Sequence, residues 1–116
     1  MVVYTVPQPV SGSGTGATAQ GPANVPVPLP RPATSLFISG TAYGIPGSMI
    51  GFDVFIDGQF CGSTSMIAID NTHHTVPSLF VAVQLAAGPH NMSIQPIQAP
   101  GAGLDANDRF LVTFID

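Results

Sequence analysis

Alternation of apolar and polar positions becomes regular at Thr34. Leu36, Ile38 and Ala42 fall on one face of an extended strand, and Ser39, Thr41 and Tyr43 fall on the other. Gly44-Ile-Pro-Gly47 reads as a turn. Phe52, Val54 and Ile56 then alternate with Asp53, Phe55 and Asp57, a strand with one apolar face. Asp57-Gly58 supplies the two positive-φ positions of a type I′ hairpin turn. The returning strand starts at Gln59-Phe-Cys61, meets an expected bulge or bend at Gly62, and continues through Met66, Ile67 and Ile69. Asp70-Asn-Thr72 makes the next loop.

Leu79 to Leu85 is almost continuously apolar and predicts a strand covered on both sides, with Pro77 just ahead of it. A turn over Ala86-Ala-Gly-Pro89 leads into a strand from His90 to Gln95 that Pro96 ends. After a Gly/Pro loop over Gln98 to Gly103, Phe110, Val112 and Phe114 alternate in a last strand. No segment reads as a helix of three turns. Short strands separated by turn signals predict an all-β fold: a small β-sandwich or jelly-roll-like domain of about seven strands over residues 34–116.

Residues 1–33 carry seven prolines and one charge, Arg31. Met1 to Val6 is β-prone and is stopped by Pro7 and Pro9, Ser11 to Gly16 is a flexible low-complexity tract, and Val25 to Pro32 has proline at every second position. Such proline spacing favours polyproline-II geometry and cannot join a central strand. The expectation is an extended N-terminal arm outside the body. Val2, Val3, Tyr4 and Val6 would add a strand to a partner's sheet edge, and Val25, Val27 and Leu29 would pack along the partner's surface.

Composition sharpens this picture. The chain has 116 residues, 7% of them charged against a norm of about 25%, and it contains no Lys or Glu. A 45% hydrophobic chain so poor in charge is expected to hide surface against other copies or another protein. The formal net charge of −4, with two arginines, argues against nucleic-acid backbones. No stretch approaches the apolar length of a membrane span, and the N-terminus lacks the basic, uninterrupted apolar pattern of a leader, so no membrane partner is expected. The single cysteine, Cys61, allows no internal disulfide, and synthesis in a reducing cytosol is the expectation.

Candidate chemistry is sparse. Asp70, His73, His74 and His90 are potential metal ligands, but adjacent histidines on a strand face opposite ways, and no metal or other cofactor is expected. Asp105-Ala-Asn-Asp108 lacks the spacing, glycine and terminal Glu of an EF-hand loop and suits an Asx turn. There is no G-x-S-x-G elbow, Cys61 lies inside a strand, and no carboxylate pair is aimed at a cleft, so no enzyme is expected. A glycan site is the alternative, with Tyr43 as aromatic platform beside Asp70, Asn71 and His73.

The segment Phe52-Asp-Val-Phe-Ile-Asp-Gly58, followed by Leu85-Ala-Ala-Gly-Pro-His-Asn-Met-Ser-Ile94, resembles the strand–turn cadence of jelly-roll modules in bacteriophage structural proteins. These include capsid decoration (cement) proteins and fibre or spike tips. The resemblance implies a non-enzymatic virion protein on the capsid surface, a dimer or trimer that clips neighbouring copies of the major capsid protein. It also admits a fibre-tip module that binds host glycans.

Overall fold

The computed structural model describes residues 1–8, 10–13, 22–99 and 102–116. Two antiparallel sheets face each other. The first holds β1 (Val2–Thr5), β10 (Phe110–Ile115) and the long β3 (Ala33–Gly44). β3 also pairs with β7 (Leu79–Leu85), β6 (His73–Thr75) and the two-residue β9 (Ala102–Gly103). The second runs in the order β2 (Ala23–Leu29), β8 (Gly88–Pro96), β4 (Met49–Ile56), β5 (Gln59–Ile67). Every pairing is antiparallel, and the described residues contain no helix.

The alternation seen in the sequence produces the core. Leu36 and Ile38 of β3, Val112 and Phe114 of β10, Val54 of β4 and Ile94 of β8 are fully shielded between the sheets. Phe52 and Phe110 meet across the gap edge to face, their centroids 5.3 Å apart, a favoured aromatic arrangement. Asp57 and Gly58 both take positive φ, 51° and 81°, as the I′ hairpin requires. The expected bulge falls opposite Val54 and Phe55, whose partners are Gly62 and Phe60, so Cys61 is the extra residue.

Two expectations are corrected. Leu79 to Leu85 is not covered on both sides: β7 joins β3 alone, with Leu79, Val81 and Val83 half-buried and Phe80 62% exposed. The larger correction concerns residues 1–33, whose described strands are built into both sheets. β1 pairs with β10, the Val6 N–H donates to Val112 O, the Phe110 N–H donates to Val10 O, and Ser11 bridges Arg109. The Arg31 guanidinium donates to the Val2 carbonyl at 3.0 Å. β2 is the edge strand of the second sheet, with Val25, Val27 and Leu29 buried and Pro26 and Pro28 outward. Val3 and Val6 are also buried, and Tyr4 packs against the core. Of the seven side chains assigned to a partner, Val2 alone is exposed, and its strand pairs with Ile115 of the same chain. The division at residue 33 is therefore not a boundary in the fold. Gly14 to Gly16 of the low-complexity tract lie outside the described residues.

The end of the sandwich holding the Asp57 hairpin is pinned by His90. Its Nδ1 donates to Asp57 Oδ2 at 2.6 Å and its Nε2 to the Ala86 carbonyl at 2.8 Å, so the ring is an imidazolium when both bonds are made. Asp57 Oδ1 also accepts the Asn91 N–H at 2.9 Å. The bond to the Asp57 carboxylate, then the Ala86 carbonyl, raises the His90 pKa above its ordinary 6.5. His90 and then the Asn91 amide hold Asp57 below 3.8. The stability that His90 adds is complete below pH 6.5 and is lost as pH rises through its raised folded pKa. The Asp57 share is complete above pH 3.8 and is lost as pH falls through its lowered folded value. Thermal melts across pH should therefore show a plateau between these limits, and His90→Gln should flatten the alkaline decline. An unchanged alkaline limb in that variant would exclude the pair as its source.

Candidate functional site

The opposite end of the sandwich gathers polar chemistry from four segments. β3 carries Thr41 and Tyr43, β6 opens with His73 directly opposite Tyr43, and the turn between β9 and β10 carries Asp105 and Asp108. That turn closes on itself. The Asp105 N–H donates to Asp108 Oδ2 at 2.9 Å, the Asn107 N–H donates to Asp105 Oδ1 at 2.8 Å, and the Asp108 N–H donates to the Asp105 carbonyl at 3.0 Å. This is the Asx geometry that short carboxylate side chains offer a chain entering a strand. The fourth segment is N-terminal. Gly12 is buried, and a Cβ there would lie 2.9 Å from backbone atoms of Leu104 and Asp105, so only glycine lets it pass the turn so closely.

Asp108 is the hub, and it is fully buried. Its Oδ1 accepts the Thr41 hydroxyl at 2.7 Å and His73 Nδ1–H at 2.7 Å. A carboxylate has no proton to give, so the ring nitrogen is the donor. His73 Nε2 lies 3.7 Å from Asp105 Oδ2. The Tyr43 ring tilts against the imidazole with centroids 4.9 Å apart. Three donors thus take both oxygens of Asp108, and Asn107 takes one of Asp105. Among the described residues, Asp105 Oδ2 and His73 Nε2 have no nearer polar partner than each other. Tyr43 and His73 are half-buried here, and Asp105 is buried at 7% exposure.

The sequence-derived glycan set is split by this geometry. Tyr43 and His73 come together, whereas Asp70 binds the Thr72 hydroxyl at 2.6 Å and pairs with His74 Nε2 at 3.2 Å, away from them. Asn71 is exposed on the same loop. His73 and His74 face opposite ways, and His74 Nδ1 is buried with no hydrogen-bond partner. His90 belongs to the other end. Asp105 and Asp108 were outside the set, because nothing in their local sequence announces that β3 pairing sets His73 above them. The ligand atoms of His73, Asp105 and Asp108 all lie within 4.8 Å of one another, a group that could hold a metal ion. An ion there would compete with the three hydrogen bonds that Asp108 already accepts.

Two hollows lie elsewhere. One of about 550 Å³ follows β2 between Tyr4, Val6, Val25 and His90. Another of about 490 Å³ lies on the outer face of the second sheet between Asn24, Phe55, Asn91 and Ser93. Neither is lined by a carboxylate.

No protein-family model matches the sequence, and no curated protein sequence matches it. Solved structures do match the fold. A CBM36-1 domain of a multidomain xylanase from the hindgut metagenome of Trinervitermes trinervoides superposes with a TM-score of 0.58 at 14% identity, over 95% of this chain and 94% of that one. A family 35 carbohydrate-binding module from Clostridium thermocellum gives 0.59 at 16%, over 100% and 92%. A CBM36 module in complex with calcium and xylotriose gives 0.51 at 16%, over 97% and 87%. At such identities the likeness establishes the β-sandwich and nothing finer. These neighbours are carbohydrate-binding modules, and none of the three is a phage capsid decoration protein.

Proposed function

We propose that the chain is a non-catalytic glycan-binding module whose sugar sits at the Tyr43–His73–Asp105 end of the sandwich. The observation that carries this is the convergence at one end of the sandwich of a half-buried aromatic ring, a half-buried imidazole and the Asp105 carboxylate, which is 7% exposed. Sugars present C–H faces and hydroxyls together, and such a site meets both, with Tyr43 stacking while Asp105 Oδ2 and His73 Nε2 bond hydroxyls. The fold neighbours support the reading by kind. The capsid-cementing function that the sequence led us to expect first has no comparable support, since the described strands of the arm through which it would act pair within this chain's own sheets.

Calorimetric titration with xylotriose, cellotriose and a wider oligosaccharide panel tests it. Tyr43→Ala should weaken binding by about tenfold, the value of a good aromatic contact, and leave the fold intact. EDTA should leave affinity unchanged, because a cation on Asp108 would have to compete with its Thr41, His73 and Asp105 donors. A panel with no binder, or equal affinity in Tyr43→Ala, would overturn the proposal.

A further inference from the structure

On the outer face of the first sheet, polar side chains continue from Tyr43 along β3. Gly40, Ala42 and Gly44 are buried, while Ser39, Thr41 and Tyr43 alternate with them outward and are half-buried. β6 repeats the step: His73 lies opposite Tyr43, and the exposed Thr75 lies opposite Thr41. On the other flank of β3, Leu111 lies opposite Ser39 and is 46% exposed. The Tyr43 and Thr41 rows are joined through one atom, because Thr41 and His73 both donate to Asp108 Oδ1, each at 2.7 Å. The four steps of strand from Tyr43 to Ser39 cover roughly 13 Å, room for more than one sugar ring.

The far part of this track is hollow. A cavity of about 310 Å³ is bounded by Gln8, Ser39, Thr41, Thr75, Arg109 and Leu111. Its polar groups are mixed in sense. Gln8 Nε2 donates to the Phe110 carbonyl at 2.9 Å, which leaves Oε1 as an acceptor. The Thr41 hydroxyl donates to Asp108 and keeps its lone pairs. Among the described residues the Ser39 and Thr75 hydroxyls have no hydrogen-bond partner, and the Arg109 guanidinium donates to the Ala106 carbonyl and has no ion-pair partner. Sugar hydroxyls both donate and accept, which suits a wall of this kind. A carboxylate lodged here would lie one hydroxyl away from the Asp108 carboxylate, so charge favours a neutral ring.

We infer that the ligand is a neutral oligosaccharide laid along β3, with one ring at Tyr43 and His73 and the next over Thr41 and Thr75 in the hollow between Gln8 and Arg109. The inference rests on the glycan reading above. It adds a second subsite, and with it a ligand of two or more units rather than a single sugar.

The test titrates the ¹⁵N-labelled full chain with the mono-, di- and trisaccharides of the xylose, glucose, mannose and galactose series, read by NMR. In a series that binds, the trisaccharide should bind at least about tenfold more tightly than the monosaccharide, the value of two added hydrogen bonds. It should shift resonances of Ser39 and Thr75 together with those of Tyr43 and His73. The double variant Ser39→Ala/Thr75→Ala breaks no hydrogen bond among the described residues. It should keep the native monosaccharide affinity and lose most of the trisaccharide advantage. Equal mono- and trisaccharide affinities in the native chain overturn the inference while the glycan reading stands. So do trisaccharide shifts confined to Tyr43 and His73, or a native trisaccharide affinity in the double variant. Should the variant fail to fold, the affinities and shifts of the native chain decide alone. Absence of any shift at Tyr43 and His73 with every sugar removes the glycan reading itself.

Discussion

Deleting residues 1–33 should abolish cooperative folding rather than release a trimmed domain. Val3, Val6, Val10, Ala23, Val25, Val27 and Leu29 are all buried in the shared core. Burying an aliphatic side chain of this kind stabilises a fold by roughly 1.5–3 kcal/mol. Even at the low end the segment supplies close to 10 kcal/mol, which matches the entire net stability of about 5–15 kcal/mol in a typical small domain. The deletion also strips the outer partners from β10 and β8, exposing two new edges and the inner rings of Phe110 and Phe114. Circular dichroism and urea melts of residues 34–116 should show no sigmoidal transition, with a collapsed NMR spectrum. A dispersed spectrum and a cooperative melt would show that the first 33 residues are dispensable.

The second large effect is expected at Asp108. Replacing it with Ala leaves the Thr41 hydroxyl, His73 Nδ1–H and the Asp105 N–H without their acceptor in a fully buried position. Unpairing a buried charged hub of this kind costs about 3–5 kcal/mol. In a domain of this size each kcal/mol moves the midpoint by roughly 4–8 °C, so the melting temperature should fall by about 15 °C or more. Asp108→Asn should lie between the two, because its amide can keep one acceptor oxygen but turns a donor toward another donor. Glycan affinity should fall with Asp108→Ala as His73 loses its orientation beneath Tyr43. Differential scanning calorimetry checks the first expectation. A loss of only a few degrees would mean that the hub is decorative.

Much of this fold is legible in the chain because period-two patterns and turn residues act locally. The β4–β5 hairpin follows from Asp57-Gly58, and the inward set Phe110, Val112 and Phe114 follows from alternation. Residues 1–33 misled because glycine and proline dominate the composition of a segment whose valines still alternate. Polyproline-II and β geometries are neighbours in φ/ψ space, so Val25, Val27 and Leu29 face inward with little change in backbone. The prolines excluded a central position, and β2 is indeed an edge strand. β7 misled for the opposite reason: of its outward positions Phe80, Ala82 and Gln84, two are apolar, so exposure left a single polar mark. The site was half visible. Tyr43 and His73 belonged to the glycan set, but Asp105 and Asp108 reach them only through long-range register, which no local motif encodes.

Pro26 and Pro28 have a bearing on how this molecule tolerates crowding. Within β2 their imide nitrogens replace the N–H groups that would otherwise line the sandwich's outer margin. A foreign strand approaching that margin finds the donors of positions 26 and 28 missing, which hinders pairing. For a polypeptide with so few repelling charges, the rings do a job that lysines do in other proteins: they interrupt ribbon growth before it can begin.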